Sequence, residues 1–335
     1  MMVNPLRISK GMYWDRAWSL VEGCSYVSDG CINCWSAAQA HMRSGQKNEK
    51  IRGKYAGLTT DDGRWNGQIR LLQSNLNLPV SIKKPIVWAV WNDLFHESVD
   101  FSFIRAAWAR MATSPQHTFL ILTKRPERMK EFFEWMEGQE FKVETYLPHI
   151  WLGVTCENQE QANKRIPILL QLPVLVRFIS VEPMLSAVDL THIHFEHFGT
   201  NYLNCFTGDL EFTNNQGDRD ETVIDKVDWV ICGGESGPGA RPMHPYWAMD
   251  LSAQCEAAGV PFFFKQYGEW QQVGECLNGP DDRKFYNKTK IEILNHEGGQ
   301  GYHGAGSVYI QRVGKKKSGR LLDGKEWSEF PQAQQ

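Results

Sequence analysis

Three of the eight cysteines fall within eleven residues, where Cys24, Cys31 and Cys34 are spaced C-x6-C-x2-C in a segment rich in Gly, Ser and Asn. Thiolates are the ligands that soft metals and iron–sulfur clusters prefer. Four thiolates complete a structural tetrahedral site, whereas three leave one coordination position open for chemistry. A [4Fe-4S] cluster held by three cysteines can present its fourth iron to a small molecule such as S-adenosylmethionine.

The same spacing also suits a structural zinc loop in which a histidine supplies the fourth ligand. His41 is the nearest histidine that follows the three cysteines. The spacing alone leaves the cluster and the zinc loop open as alternatives. The other five cysteines follow no pattern, and we expect them to be free thiols or small core residues in a reducing compartment. They are Cys156, Cys205, Cys232, Cys255 and Cys276.

The composition is typical of a folded, soluble protein. The chain has 335 residues, of which 42% are hydrophobic and 22% are charged, as in ordinary globular domains. A net charge of −3 argues against a protein coated in positive charge for binding polyanions, although it allows a local basic groove. No apolar run approaches the ~18 residues of a membrane span. The first residues have no apolar core of a signal peptide, so we expect a cytoplasmic protein without a membrane anchor.

Short apolar segments alternate with segments of helical periodicity along most of the chain. The predicted strands are 17–21, 85–91, 117–123, 150–155, 174–181, 229–232 and 260–264, and the predicted helices are 35–42, 103–111, 126–136, 159–170 and 247–258. Continuous apolar strands separated by helices are typical of a parallel sheet covered on both faces. The pattern predicts an α/β fold, a full or partial (β/α) TIM-type barrel. Polar residues follow the later strands directly, at the ends where such barrels carry active sites.

Two segments lie outside this repeat. We expect residues 1–270 to form the barrel, with an insertion at 186–227 whose centre is polar and rich in turn residues. Residues 271–335 form a predicted C-terminal extension that is rich in glycine and carries the basic run Lys315-Lys316-Lys317. The glycine cluster within 299–306 is a poor phosphate-loop candidate, because no strand precedes it and no helix clearly follows.

An ordered series of motifs carries a family resemblance from about Trp14 to Trp327. The series comprises the three-cysteine loop, Asn92-Asp93-Leu94-Phe95-His96, Leu122-Thr123-Lys124-Arg125-Pro126, Arg177-Phe178-Ile179-Ser180-Val181-Glu182-Pro183, Gly233-Gly234-Glu235-Ser236-Gly237-Pro238-Gly239 and Phe263-Phe264-Lys265-Gln266. It resembles a three-cysteine-motif family common in phages and prophages, a domain of unknown function related to radical S-adenosylmethionine enzymes. The resemblance implies a partial barrel of the radical-SAM kind. The first gap between cysteines is longer here than in the usual C-x3-C-x2-C spacing.

The resemblance implies a role for each motif. Cys24, Cys31 and Cys34 would bind three irons of a [4Fe-4S] cluster, and the fourth iron would chelate S-adenosylmethionine, which is cleaved to a 5′-deoxyadenosyl radical. Asn92 and Asp93 would meet the methionine amino group. Further cofactor contacts would come from Glu157 and Asn158 to the ribose, and from Gly233, Gly234 and Glu235 along the adenine. Helix N-caps and a tight turn are the structural alternatives for these polar and glycine positions.

The remaining polar residues at strand ends are candidates for the substrate site. We expect Lys124, Glu182 and Lys265 to be catalytic, and Arg125, Arg128, Arg241 and Gln266 to bind the substrate. Carboxylates and cations that converge at one barrel mouth are costly to desolvate unless they pair or meet a ligand. Most tryptophans, such as Trp88, Trp108 and Trp151, stand at core positions of predicted strands and helices, and we do not interpret them as a base-stacking platform.

These expectations together describe a radical S-adenosylmethionine enzyme with one [4Fe-4S] cluster. The phage resemblance implies a modified thymine base in DNA as substrate and an isomerase or mutase reaction that helps a viral genome evade restriction. A lyase similar to the enzymes that repair thymine photoproducts is the enzymatic alternative. A non-catalytic zinc-loop module that binds nucleic acid or protein is the alternative from another class. The expected partners are DNA or a nucleotide and a reductant protein, in the host cytoplasm if a phage encodes the chain.

Overall fold

The computed structural model describes residues 3–140, 144–196, 200–213, 218–276, 291–302, 304 and 306–332. In chain order the strands are β1 (Arg16–Ser19), β2 (Val21–Gly23), β3 (Ile69–Leu71), β4 (Val87–Trp91), β5 (Thr118–Thr123), β6 (Ile150–Thr155), β7 (Val176–Val181), β8 (Ile193–Glu196), β9 (Thr200–Leu203), β10 (Asp209–Thr213), β11 (Arg219–Val223), β12 (Trp229–Gly233), β13 (Phe262–Gln266), β14 (Trp270–Glu275), β15 (Ile291–Leu294) and β16 (Val308–Arg312).

The helices are α1 (Pro5–Ile8), α2 (Trp35–Ser44), α3 (Glu49–Tyr55), α4 (Phe101–Ala112), α5 (Pro126–Glu137), α6 (Gln159–Leu169), α7 (Pro245–Ala258) and α8 (Lys315–Ser318). Proline stands in the first turn of α5, as predicted, where its missing N–H costs no helical hydrogen bond. None of the helices in the described residues is long and apolar enough to cross a membrane.

The central element is a seven-stranded parallel half-barrel sheet with the strand order β1-β4-β5-β6-β7-β12-β13. Every residue of β6 and β7 is buried, as expected for strands that are covered on both faces. The predicted α/β class and the partial barrel are therefore confirmed. A closed TIM barrel is not formed by the described residues, because β1 and β13 stand at the two open edges of the sheet.

The first predicted strand, 17–21, was placed too far along the chain. The parallel strand β1 ends at Ser19, and the chain then forms β2, which pairs antiparallel with β3 and leaves the parallel sheet. Gly23 at the end of β2 has φ +96°, and an added Cβ would clash with the carbonyl oxygen of Gln68. The cysteine loop therefore follows β2 rather than the first parallel strand, and glycine is required at its start.

The chain divides into two compact units. The first contains Met1–Thr155, Arg165–Phe178 and Gln332–Gln335, and the second contains Cys156–Lys164 and Ile179–Pro331. In the first unit β1, β4, β5 and β6 pair in parallel register, so their carboxyl ends lie along one edge of the sheet. The largest fully buried side chains of this unit are Trp18, Trp88, Trp108, Phe95, Phe119, Phe132 and Phe178, in keeping with the predicted core role of the tryptophans.

The second unit contains two further sheets. The segment that was predicted as an insertion folds into the four-stranded antiparallel sheet β11-β10-β9-β8. The C-terminal part forms the three-stranded sheet β14-β16-β15, and the basic run begins the short helix α8. Residues 214–217 and 277–290, which belong to these predicted segments, lie outside the described residues. The core of the second unit is aromatic, with Trp229, Trp247 and Phe262–Phe264 fully buried.

Candidate functional site

The three clustered cysteines lie in a short loop of the first unit. Cys24 directly follows β2, Cys31 ends a single 3-10 turn (Asp29–Cys31), and Cys34 is the N-cap residue of α2. All three are free thiols with partly exposed side chains, whereas the other five cysteines are buried. The three cysteines of the loop are thus accessible to a ligand, whereas the other five lie in the core.

The Cys24 thiol is largely enclosed by its neighbours. Burial raises the pKa of Cys24 to about 12, the carboxylate of Asp93 adds to this rise, and the guanidinium of Arg125 opposes it. The uncomplexed thiol is therefore protonated at neutral pH. A bound metal would displace that proton, because a coordinating thiol is deprotonated.

The three loop thiols are donors of the type that an iron–sulfur cluster binds. Among the described residues, no three His, Cys, Asp or Glu side chains are grouped so that they could hold one metal ion. The Nδ1 atom of His41, the expected fourth zinc ligand, lies 3.1 Å from Thr59 Oγ1, and its ring lies against Gly63. In a cluster each thiolate binds a different iron, so the three sulfur atoms need not converge on one point.

A buried ion pair lies beside the cysteine loop. Arg125 Nη1 is 2.6 Å from Asp93 Oδ2, and both side chains are less than 10% exposed. The other carboxylate oxygen of Asp93 accepts hydrogen bonds from Thr123 Oγ1 at 2.7 Å and from the Phe95 amide at 3.0 Å. Asp93 therefore forms a turn at the end of β4 rather than the helix N-cap that was the alternative.

The guanidinium of Arg125 contacts the cysteine loop as well. It donates to Ser25 Oγ at 2.6 Å, and its Nη1 lies 3.8 Å from Cys24 Sγ. Its Nε donates to Glu97 Oε1 at 2.7 Å. Only 5% of the surface of Arg125 is exposed, and every nitrogen of its guanidinium has a partner within the first unit, so its contact with a substrate stays a prediction. Its geometry is that of a residue that positions the loop.

Asn92 also links its strand end to the region of the cysteines. It has a positive φ of 58°, and its Nδ2 donates to Val21 O and to Glu22 Oε2, both at 2.9 Å. Its Oδ1 accepts a hydrogen bond from Ser36 Oγ at 2.9 Å. Glu22 is 1% exposed and pairs with Lys54 Nζ at 2.6 Å. Asn92 thus fixes β2 and α2, the two elements that flank the cysteines.

The two other predicted cations of this unit differ in their surroundings. Arg128 donates to Glu131 Oε2 at 3.0 Å, and its guanidinium lies over the ring of Phe101, 3.7 Å from the centroid. Lys124 is partly exposed, and its side chain makes no hydrogen bond or ion pair with the residues that the structure describes. Lys124 is therefore the more available of the two for a bound anion.

In the second unit the predicted catalytic residues Glu182 and Lys265 form an ion pair. Lys265 Nζ is 3.0 Å from Glu182 Oε1, and Ser180 Oγ donates to Glu182 Oε2 at 3.3 Å. A Cβ added to Gly233 would lie 2.7 Å from Glu182 Oε1. An added Cβ on Gly234 would clash with the carbonyl oxygen of Tyr267. Neighbouring atoms thus approach both glycines too closely for a larger side chain. This packing agrees with the tight turn that was the structural alternative to a position beside adenine.

Glu235 and Arg241 form an ion pair within one loop of the second unit. Arg241 donates through Nη2 to Glu235 Oε1 at 2.7 Å, and through Nε and its backbone amide to Glu235 Oε2 at 3.0 and 2.7 Å. A two-point contact of this kind restricts both side chains. Gln266 is buried, and its carbonyl oxygen accepts a hydrogen bond from the Gly234 amide at 2.8 Å.

The predicted ribose contacts are also accounted for within the second unit. Asn158 Oδ1 accepts the amide of Gln161 at 2.9 Å, the hydrogen bond of a helix N-cap at the start of α6. Glu157 is fully buried, and its carbonyl oxygen accepts the amide of Leu185 at 2.8 Å. Contacts of these two residues with a cofactor stay predictions.

Sequence reasoning missed several residues that support the cysteine loop. His96 Nε2 lies 3.0 Å from Ser25 Oγ, and burial together with Arg125 lowers the pKa of His96. Arg165, which is buried, donates to Ser28 Oγ at 3.0 Å and to Thr155 O at 2.7 Å. Glu22, which directly follows the apolar residues Leu20 and Val21, was a visible signal of such supporting contacts. A carboxylate that is buried with its apolar neighbours needs a partner.

Comparison with known proteins places the chain in a family. No curated protein and no solved structure matches it. A family model described as "Protein of unknown function (DUF5131)" matches residues 9–331, which is nearly the whole chain and includes both units. The chain therefore belongs to the DUF5131 family of proteins of unknown function.

Proposed function

We propose that this protein is a radical S-adenosylmethionine enzyme with one [4Fe-4S] cluster, and that it rearranges a modified thymine base in phage DNA during hypermodification. The observation that carries the proposal is the loop from Cys24 to Cys34. It holds three free, reachable thiols beside a buried arginine–carboxylate pair, whereas the other five cysteines are buried. Three thiolates leave one iron open for a ligand.

Cys24, Cys31 and Cys34 would hold the cluster. A reduced cluster with bound S-adenosylmethionine supplies a 5′-deoxyadenosyl radical, the hard chemistry that a cofactor contributes. The protein contributes position and charge. Arg125 places a positive charge beside the Cys24 sulfur, which favours a thiolate over a thiol.

Asp93 is the proposed partner of the methionine amino group. Its Oδ2 accepts one hydrogen bond, from Arg125 Nη1, among the described residues. A carboxylate has about four acceptor positions in all, so Asp93 keeps acceptor capacity for an ammonium group.

The substrate assignment comes from the resemblance and from the available cation Lys124. A thymine base within DNA brings phosphates with it, and lysine is a common phosphate partner. Glu182 and Lys265 form the proposed catalytic pair of the second unit, where proton transfer to or from a rearranging base would need an acid and a base. A photoproduct-type lyase would use the same cofactor.

The zinc-loop module is the alternative from another class. Against it stands the contact of His41, the expected fourth zinc ligand, with Thr59. The cofactor test is anaerobic incubation with dithionite and S-adenosylmethionine. We expect slow formation of 5′-deoxyadenosine even without substrate. Formation of S-adenosylhomocysteine alone would show methyl transfer instead and would overturn the proposal.

A further inference from the structure

We propose that Arg125 is a positioning residue for the cluster: it fixes the Cys24–Ser25 end of the cysteine loop and raises the reduction potential of the cluster bound there. The part that concerns the potential rests on the proposed function, whereas the fixing of the loop does not. In this proposal Arg125 does not contact a reacting atom. It affects the cluster through its contacts with Ser25 and with the Cys24 sulfur.

The guanidinium of Arg125 reaches two residues of the cysteine loop. Nη2 donates to Ser25 Oγ at 2.6 Å and lies 3.5 Å from Ser25 O, while Nη1 lies 3.8 Å from Cys24 Sγ. Two consecutive loop residues are thus held by one side chain from the start of α5, one hundred residues further along the chain. Removing these donors would release this end of the loop.

Arg125 is itself held in place by two carboxylates. Nη1 pairs with Asp93 Oδ2 at 2.6 Å and Nε pairs with Glu97 Oε1 at 2.7 Å. These carboxylates belong to the segment that follows β4, and Arg125 follows β5. Since both strands are part of the parallel sheet, the guanidinium is tied to rigid elements and can hold the loop in place.

These contacts require an arginine at position 125. The side chain presents donors in three directions at once: Nε to Glu97, Nη1 to Asp93 and Cys24, and Nη2 to Ser25. Five donors in one rigid plane allow this arrangement, whereas the single ammonium of lysine does not. Lysine at this position would keep the charge beside Asp93 but would lose most of the loop contacts.

The position of Arg125 beside Cys24 Sγ would also affect a bound cluster. A donor and a positive charge close to a ligating sulfur stabilise the reduced cluster, which carries one more electron, and hydrogen bonds to sulfur are among the factors that set cluster potentials. Among the described residues, Arg125 is a charged donor that lies within 3.8 Å of Cys24 Sγ. Its loss should therefore move the potential to more negative values.

The experiment compares Arg125→Lys and Arg125→Gln with Arg105→Lys, a partly exposed arginine of α4 in the same unit. Hydrogen exchange of metal-free protein is measured for a peptide that spans Cys24 to Cys31. We expect several-fold faster exchange in both Arg125 variants and the wild-type rate in Arg105→Lys. Arg125→Lys keeps a charge opposite Asp93, so it remains informative if Arg125→Gln fails to fold.

The second arm is a redox titration of reconstituted protein, followed by electron paramagnetic resonance. We expect a more negative midpoint potential for Arg125→Lys than for wild type, and no shift for Arg105→Lys. Unchanged exchange together with an unchanged potential would overturn the proposal. If wild-type protein takes up no iron, the proposed function fails and the effect on the potential with it, while the exchange measurement still decides whether Arg125 fixes the loop.

Discussion

Asp93 and Arg125 form a buried ion pair, with 2.6 Å between Oδ2 and Nη1, that connects the segments after the neighbouring strands β4 and β5. The carboxyl ends of parallel strands lie along one edge of a sheet, which explains why residues 32 positions apart meet there. The same guanidinium reaches Ser25 and Cys24. The strand ends thereby support the loop that carries the three cysteines.

Replacing Asp93 should destabilise the protein strongly. Asp93→Ala leaves the Arg125 charge buried with Glu97 as its remaining carboxylate partner in the described residues, and removal of one partner of a buried pair costs about 3 kcal/mol or more. Urea denaturation measures the free energy of unfolding. Glu131→Ala, which breaks the exposed pair with Arg128, is the control and should cost less than about 1 kcal/mol. Equal losses in the two variants would contradict the importance of the buried pair.

Glycine at position 23 should be indispensable. Gly23→Ala places a Cβ against the Gln68 carbonyl at φ +96°, and we expect a loss of about 2 kcal/mol in unfolding free energy. Gly53→Ala is the matched control, because Gly53 lies inside α3 with no atom within 4 Å of an added Cβ. Alanine there should stabilise the protein by about 0.5–1 kcal/mol. A stable Gly23→Ala protein would show that the start of the cysteine loop can relax.

His244 should make stability depend on pH. Its Nδ1 accepts the amide of Tyr246 as the N-cap of α7, and its Nε2 lies 2.8 Å from Gly306 O, an arrangement that suits the neutral ring. Burial lowers the pKa of His244 from its ordinary 6.5 to about 4. Because the folded pKa lies below the unfolded one, this contribution is complete above pH 6.5 and is lost as the pH falls towards 4.

The measurement is urea denaturation of wild type and His244→Asn at two pH values, since asparagine can also cap a helix. Between neutral pH and about pH 4.5, wild type should lose about 2 kcal/mol more unfolding free energy than the variant. Parallel losses in both proteins would mean that His244 does not titrate as its surroundings indicate.

Several features of the fold were predictable because they depend on local pattern. The strand Ile150–Thr155 is a continuous apolar run and was predicted with the bounds that the structure has. The antiparallel pair of β2 and β3 was not predictable, since it joins residues that lie 46 to 50 positions apart in the chain. Apolar periodicity reports burial, and it carries no information on such a pairing.

The same limit applies to the site. The cysteine spacing and the polar strand ends were visible in the sequence, and so was the position of Arg125 after β5. Its burial was not visible, because it depends on compensation by Asp93 and Glu97, which lie far from it in the chain. An arginine after a strand therefore suggested a substrate contact, although its partners commit it to the protein.

DNA binding should depend steeply on salt if DNA is the substrate. Each phosphate contact releases counterions, so affinity should drop sharply between about 50 and about 200 mM salt. Lys124→Ala should reduce the slope of log affinity against log salt by about one. Lys130→Ala, an exposed lysine of α5, is the control and should leave the slope unchanged. Fluorescence anisotropy with a labelled oligonucleotide measures both, and salt-independent binding would exclude the polymer as ligand.

The most direct test of the central claim is the metal content of protein that has been reconstituted anaerobically. Wild type should contain about four iron and four sulfide per chain, and Cys24→Ala, Cys31→Ala and Cys34→Ala should each lose the visible absorbance of the cluster. Cys276→Ala, a change at a buried cysteine, should keep it. Stoichiometric zinc without iron, or a cluster that survives loss of any of the three loop cysteines, would contradict the account.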